Sequence, residues 1–152
     1  MWKNMNTQAI HTEQVKLEKF NRMVQQYQDE AFMLAYYFLG NEAEAVETVE
    51  SAVQKAYRGG KSASRPFRLW FFRNVITECQ RRRDIQRKVK TELQAGDSTG
   101  IEAMIFSLPG KMRIVIILVD LLGLRYQEAA LVCNLPVIMV QKMTAEARVS
   151  LC

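Results

Sequence analysis

The segment from Arg65 to Arg83, RPFRLWFFRNVITECQRRR, sets an indole and three phenyl rings among six arginines. On a helical wheel at about 100° per residue, Phe71, Phe72, Val75, Ile76 and Cys79 fall on one broad side and read as a buried face. Trp70 falls on the other side with Arg73, Asn74, Thr77 and Arg81. The chemistry this offers is not covalent. A ring on which a base can stack, beside guanidinium groups that reach phosphates, is how single strands are held. Large aromatics are also usually well buried, so two places stay open for Trp70: on that polar face, or beneath a neighbouring helix.

Nothing in the chain offers catalysis. There is one histidine, His11, and no grouping of His, Cys or paired carboxylates on which to build a reaction. Cys79, Cys133 and Cys152 are far apart, with no CxxC, so neither a disulfide framework nor a zinc site is expected. No metal or other cofactor is expected either. Free thiols, and a start (MWKNMNTQAI) unlike a signal peptide, point to the cytoplasm. No apolar run is long enough to span a membrane.

Charge is distributed unevenly. Residues 13–50 carry eight acids against Lys16, Lys19 and Arg22. Residues 65–90 carry nine bases against Glu78 and Asp84, and residues 101–152 are nearly balanced, with five bases and four acids. One segment suits an anionic partner, and the segment before it does not. Arg65, Arg68, Arg81, Arg82 and Arg83 extend the basic character around Trp70.

The elements that must position these groups read as helices. Residues 1–11 look like a loose polar tail, and an amphipathic helix is expected from Thr12, with Phe20, Met23, Val24, Tyr27, Ala31, Leu34, Ala35 and Phe38 inward and Gly40 as its stop. Asn41 with Glu44 reads as a capping box for a second helix. That helix is expected to bury Val46, Val49, Val53 and Ala56 and to show Glu47, Glu50 and Gln54, either as a solvated face or as a dock for a basic partner. Gly59-Gly60 is a turn before the aromatic–basic helix, whose charge runs on to Arg87, Lys88 and Lys90. Gly96-Asp97-Ser98-Thr99-Gly100 is the best domain boundary. Beyond it come a short helix over Ile101–Ser107, an apolar helix over Lys111–Leu122, and two helices, Tyr126–Cys133 and Val137–Leu151. The last two form a helix-turn-helix pattern. The expected architecture is all-α in two small helical domains, 12–90 and 105–152, joined by a flexible linker over 91–104.

At this point the residues carry a resemblance. Phe20, Tyr27, Leu34-Ala35 and Leu39-Gly40-Asn41-Glu42-Ala43-Glu44-Ala45, then Phe67-Arg68-Leu69-Trp70-Phe71-Phe72-Arg73, are similar to region 2 of bacterial RNA polymerase sigma factors of the extracytoplasmic-function (ECF) group. Leu108-Pro109, Arg113, Leu118, Gly123-Leu124, Tyr126-Gln127-Glu128-Ala129-Ala130, Leu135-Pro136-Val137, Val140 and Ala147-Arg148 are similar to region 4. The resemblance covers roughly residues 18–83 and 105–151. It implies a non-enzymatic function: binding core RNA polymerase at the clamp of its largest subunit, reading and melting the minus-ten promoter element with region 2, and reading the minus-thirty-five element with region 4. Glu47, Glu50 and Gln54 would then meet polymerase. Arg65, Arg68, Trp70, Arg73, Asn74, Thr77 and Arg81 to Arg83 would meet promoter DNA, with Gln141 and Lys142 doing so in the last helix.

The last helix departs from the family. Where Gly-Thr-Val-Lys-Ser-Arg-Leu is usual, Ile138-Met139-Val140-Gln141-Lys142-Met143-Thr144 stands, so most groups that would reach base edges or phosphates are apolar. Ile138, Met139 and Met143 therefore read either as core or as a surface for an anti-sigma factor or other protein partner. Two functions stay open: a sigma factor with weakened or absent minus-thirty-five reading, and a sigma-like regulatory module that binds a partner without directing initiation.

Overall fold

A computed structural model describes residues 2–59, 66–89 and 100–151, with side chains described for 9–59, 66–85 and 100–151. Arg65, the 91–99 part of the linker, Lys90, Cys152 and the side chains of Arg87 and Lys88 lie outside what is described. The described residues form seven α-helices: α1 (Trp2–Leu39), α2 (Glu42–Gly59), α3 (Phe67–Val89), α4 (Gly100–Ser107), α5 (Gly110–Ile116), α6 (Tyr126–Cys133) and α7 (Val137–Leu151).

The first helix starts well ahead of Thr12, because nothing between Trp2 and His11 stops it. That stretch has no Gly or Pro, and elongating an existing helix costs far less than nucleating one. At 38 residues, α1 is about 57 Å long. Residues 9–19 of it are exposed, and from Phe20 onward one face enters the core through Val24, Ala31, Leu34, Ala35 and Phe38. Gly40 ends it at φ +78°, its N–H donating to the Tyr36 carbonyl at 2.7 Å. Asn41 Oδ1 accepts from the Glu44 N–H at 2.9 Å and opens α2.

α2 is rotated from its expected face. It buries Ala45, Thr48, Ala52 and Ala56, while Val49 and Val53 are half-buried and Val46 is exposed. The valine stripe has the right period but sits at the edge of the contact. Small residues occupy its centre, where α2 is packed against both α1 and α3. α3 buries Phe71, Phe72, Val75, Ile76 and Cys79 as its pattern predicts, and adds Leu69.

The carboxy-terminal half follows its punctuation closely. The apolar helix after Pro109 changes register: α5 passes into a π-helical turn over Ile117–Leu121, in which the Leu122 N–H donates to the Ile117 carbonyl at 2.9 Å. Asn134 ends α6 in a left-handed conformation at φ 56°, which asparagine tolerates better than most residues. The two halves share one continuous apolar core. α1 rests on α4 and α5, and α3 rests on α6.

Candidate nucleic-acid and partner interfaces

Phe67 organises the start of α3. Its ring lies 5.7 Å from Phe20, 6.3 Å from Tyr27, 5.6 Å from Phe71 and 5.6 Å from Trp70, the last contact edge-to-face. Trp70 is half-buried at the rim of this cluster, so the indole is braced on one side by aromatic packing without being covered. The two sequence-level alternatives for Trp70 thus meet in one side chain. Asn74 Nδ2 donates back to the Trp70 carbonyl at 3.0 Å, and Thr77 Oγ1 donates to the Arg73 carbonyl at 3.0 Å. Each keeps acceptor capacity for another group.

The arginines do not form one free comb. Arg68 makes two hydrogen bonds to the Glu30 carboxylate, at 3.2 and 2.7 Å, and a third to the Leu122 carbonyl at 3.0 Å, with its guanidinium over the Phe72 ring. Arg82 pairs with Glu47 at 3.1 Å, which ties a residue read as DNA-binding to one read as polymerase-binding. Arg81 and Lys55 both bond to Glu78, whose side chain is only 1% exposed. Burial pushes that carboxyl's pKa up, but the two cations outweigh it and hold the group below its usual value. Sequence reasoning counted Glu78 merely as an acid within a basic run. The signal for its role is its place on the wheel, beside Val75 and Cys79 and opposite Lys55 of the neighbouring helix.

The joint between the halves centres on Phe38. Arg113 donates to the Phe38 carbonyl at 2.6 Å and to the Phe106 and Leu108 carbonyls at 2.5 and 3.1 Å. One guanidinium therefore satisfies the last turn of α1 and the end of α4, where helix carbonyls lack partners and the dipoles are negative. Burial, and secondarily the charge of Arg83, pull the Arg113 pKa down to about 10. Arg83 and Arg113 both lie over the Phe38 ring, at 5.4 and 5.6 Å. Gly110 makes room for Arg83, since a Cβ there would lie 1.6 Å from Arg83 Nη1. The Tyr36 hydroxyl also faces Glu102, at 3.4 Å. Arg73 is half-buried, and with Thr77 it lines a cleft of about 220 Å³ between α3 and the carboxy-terminal helices.

On the acidic side, Glu47, Glu50 and Gln54 are all exposed along α2. In α7, Val140, Thr144 and Ala147 face inward. Ile138 is 76% exposed and Met139 44%, Met143 is half-buried against the core, and Gln141 and Lys142 are exposed. Of the three apolar residues at this helix start, only Met143 packs inward. Leu131 is also exposed, beside a shallow trough walled by Ala130, Leu135 and Val137. Cys79 and Cys133 are free, and burial pushes both thiols up to about 12, so neither is an activated nucleophile. No helix among the described residues is long and apolar enough to cross a membrane.

Residues 99–151 match the family described as Sigma-70, region 4. Two solved structures share the fold. CnrH in complex with the cytosolic domain of CnrY superposes with a TM-score of 0.71 at 22% identity, over 89% of this chain and 86% of that one. The sigma factor RpoE in complex with the anti-sigma factor NepR, from Bartonella quintana, superposes with a TM-score of 0.73 at 17% identity, over 88% of this chain and 94% of that one. No curated protein sequence matches the chain.

Proposed function

We propose that this chain, whose residues 99–151 match the sigma-70 region 4 family and whose fold is shared with the solved CnrH and sigma factor RpoE, is an ECF-type sigma factor. Such a protein is a transcription initiation factor, not an enzyme, and it works in the cytoplasm on core RNA polymerase and promoter DNA. In this reading the exposed α2 face with Glu47, Glu50 and Gln54 meets the polymerase clamp. α3 captures the melted minus-ten strand, a base stacking on Trp70 while Arg73, Asn74 and Thr77 meet the backbone and base edges. The observation that carries the proposal is the bracing of Trp70 by Phe67 at the rim of the core. It gives a rigid ring with its outer side available, which strand capture needs.

The start of α7 reads DNA weakly at best. Ile138 and Met139 are exposed where base-contacting polar groups would be needed, and Gln141 and Lys142 alone remain for that role. This apolar patch suits a protein partner, and RpoE was solved with an anti-sigma factor bound. A second reading follows from the internal bonds of Arg68, Arg81 and Arg82. With those charges already paired, a sigma-like module could bind a partner without directing initiation. Run-off transcription with purified core polymerase separates the two. Transcripts that need the added chain support the sigma factor, and binding to core polymerase without transcripts supports the module.

A further inference from the structure

The cleft between α3 and the carboxy-terminal helices shares Arg73 and Thr77 with the strand-capturing face, and the rest of its lining has no part in the functions above. Its floor is apolar, from Ile76, Ile114, Val132 and Leu135. Its polar rim carries the Arg73 guanidinium, the Lys111 ammonium and the Gln80 and Asn134 amides as donors, with the Thr77 hydroxyl, whose hydrogen already goes to the Arg73 carbonyl. No carboxylate lines it. Elsewhere in this fold the arginines that face a neighbouring helix are bonded: Arg68 to Glu30, Arg82 to Glu47, and Arg113 to three carbonyls. The side chains of Arg73 and Lys111 have no hydrogen-bond or ion-pair partner among the described residues. Two unpaired cations from different halves of the chain thus flank one apolar hollow. Uncompensated charge of one sign beside a low-dielectric wall attracts an anion, and the floor rewards an apolar body.

We infer that this cleft binds a small carboxylate with an aromatic or branched apolar body, its carboxylate bridging Arg73 and Lys111 and its body lying on Ile76, Ile114 and Leu135. The size is that of a small metabolite. The hollow of about 220 Å³ equals the liquid volume of roughly seven waters. The ligand would touch α3 on one side and α5 and α6 on the other, and so tie the two halves together. Resting on the sigma factor reading above, it would also withhold Arg73 and Thr77 from the promoter strand. The ligand is then a negative effector of initiation.

The probe is phenylacetate, titrated by calorimetry and thermal unfolding against the full-length chain, with benzyl alcohol and inorganic phosphate as controls. Saturable phenylacetate binding is expected, at least tenfold tighter than either control. Lys111→Gln should weaken it at least tenfold while leaving the unliganded melting temperature unchanged, since Lys111 is exposed. Arg73→Gln should weaken it likewise. The inference is overturned if phenylacetate shows no saturable binding, if phosphate or benzyl alcohol binds as tightly, or if Lys111→Gln binds like the parent. In run-off transcription, phenylacetate should inhibit the parent chain and spare Lys111→Gln, and equal inhibition of both would overturn the regulatory role. If the chain supports no transcription even without the probe, the sigma factor reading fails while the titration still decides the cleft.

Discussion

Replacing Arg113 with methionine should loosen the two halves of the molecule and lower its stability by about 3 kcal/mol. Three bonds from a charged donor, to the Phe38, Phe106 and Leu108 carbonyls, are worth ~1.5 kcal/mol each. The contact with the Phe38 ring adds ~1 kcal/mol. Against that gross loss of about 5.5 kcal/mol, methionine no longer carries a charge that burial and Arg83 disfavour, and it refills most of the volume. For a chain of this size a loss of about 3 kcal/mol lowers the melting temperature by roughly 6–12 °C. Thermal unfolding followed by circular dichroism reads this. Arg113→Lys should recover less than half of the loss, because one ammonium cannot span helix ends that a planar guanidinium bridges. A fall of under 2 °C in the methionine variant would refute the idea that one side chain caps α1 and α4 together.

Other outcomes follow from the same geometry. The Glu78 carboxyl is held below its usual value in the folded chain. Its contribution to stability is therefore complete above the unfolded value of about 4.3 and is lost as pH falls through the lowered folded value; urea midpoints should drop more steeply below pH 5 in the parent than in Glu78→Gln, and parallel curves would contradict this. Glu47→Lys with Glu50→Lys should weaken co-purification with core polymerase, and unchanged binding would make the acids a solvated face. That double variant also breaks the Glu47–Arg82 pair, at a cost of about 1 kcal/mol or less. Trp70→Ala should reduce open-complex formation by about fivefold or more, since base stacking on an aromatic is worth ~1–3 kcal/mol; loss of the folded circular dichroism signal in its place would assign Trp70 to the core.

Most of the architecture could be read from punctuation and period. Gly40, Asn41, Pro109, Gly123, Asn134 and Pro136 mark where helices stop or start, and the bounds of α6 and α7 match the reading from sequence. The buried face of α3 was legible because its apolar residues are large and regularly spaced. The face of α2 was not: alanines carry little hydropathic signal, yet Ala45, Ala52 and Ala56 take the tight centre of the packing and leave the more apolar valines at its edge. The early start of α1 was missed because polar residues at helical spacing look the same in a tail and in an exposed helix. The π-helical turn leaves no mark in an unbroken apolar run. At the candidate site, Trp70, Arg73 and Thr77 could be gathered by one helical wheel. The internal partners of Arg68 and Arg82 could not, because Glu30, Leu122 and Glu47 are 38, 54 and 35 residues away. The joint at Phe38 is likewise a product of tertiary packing: Arg83 from α3 meets Gly110 and Arg113 from α5 there.

In the proposed function, α3 selects and opens promoters while α7 contributes little base reading. Mapping transcript starts from fragmented genomic DNA, with core polymerase in the presence and absence of the chain, tests it most directly. New starts are expected that depend on the chain and on Trp70, share a sequence element near minus ten, and carry little common sequence near minus thirty-five. Starts that share a strong minus-thirty-five element and persist with Trp70→Ala would contradict it, as would no new starts at all.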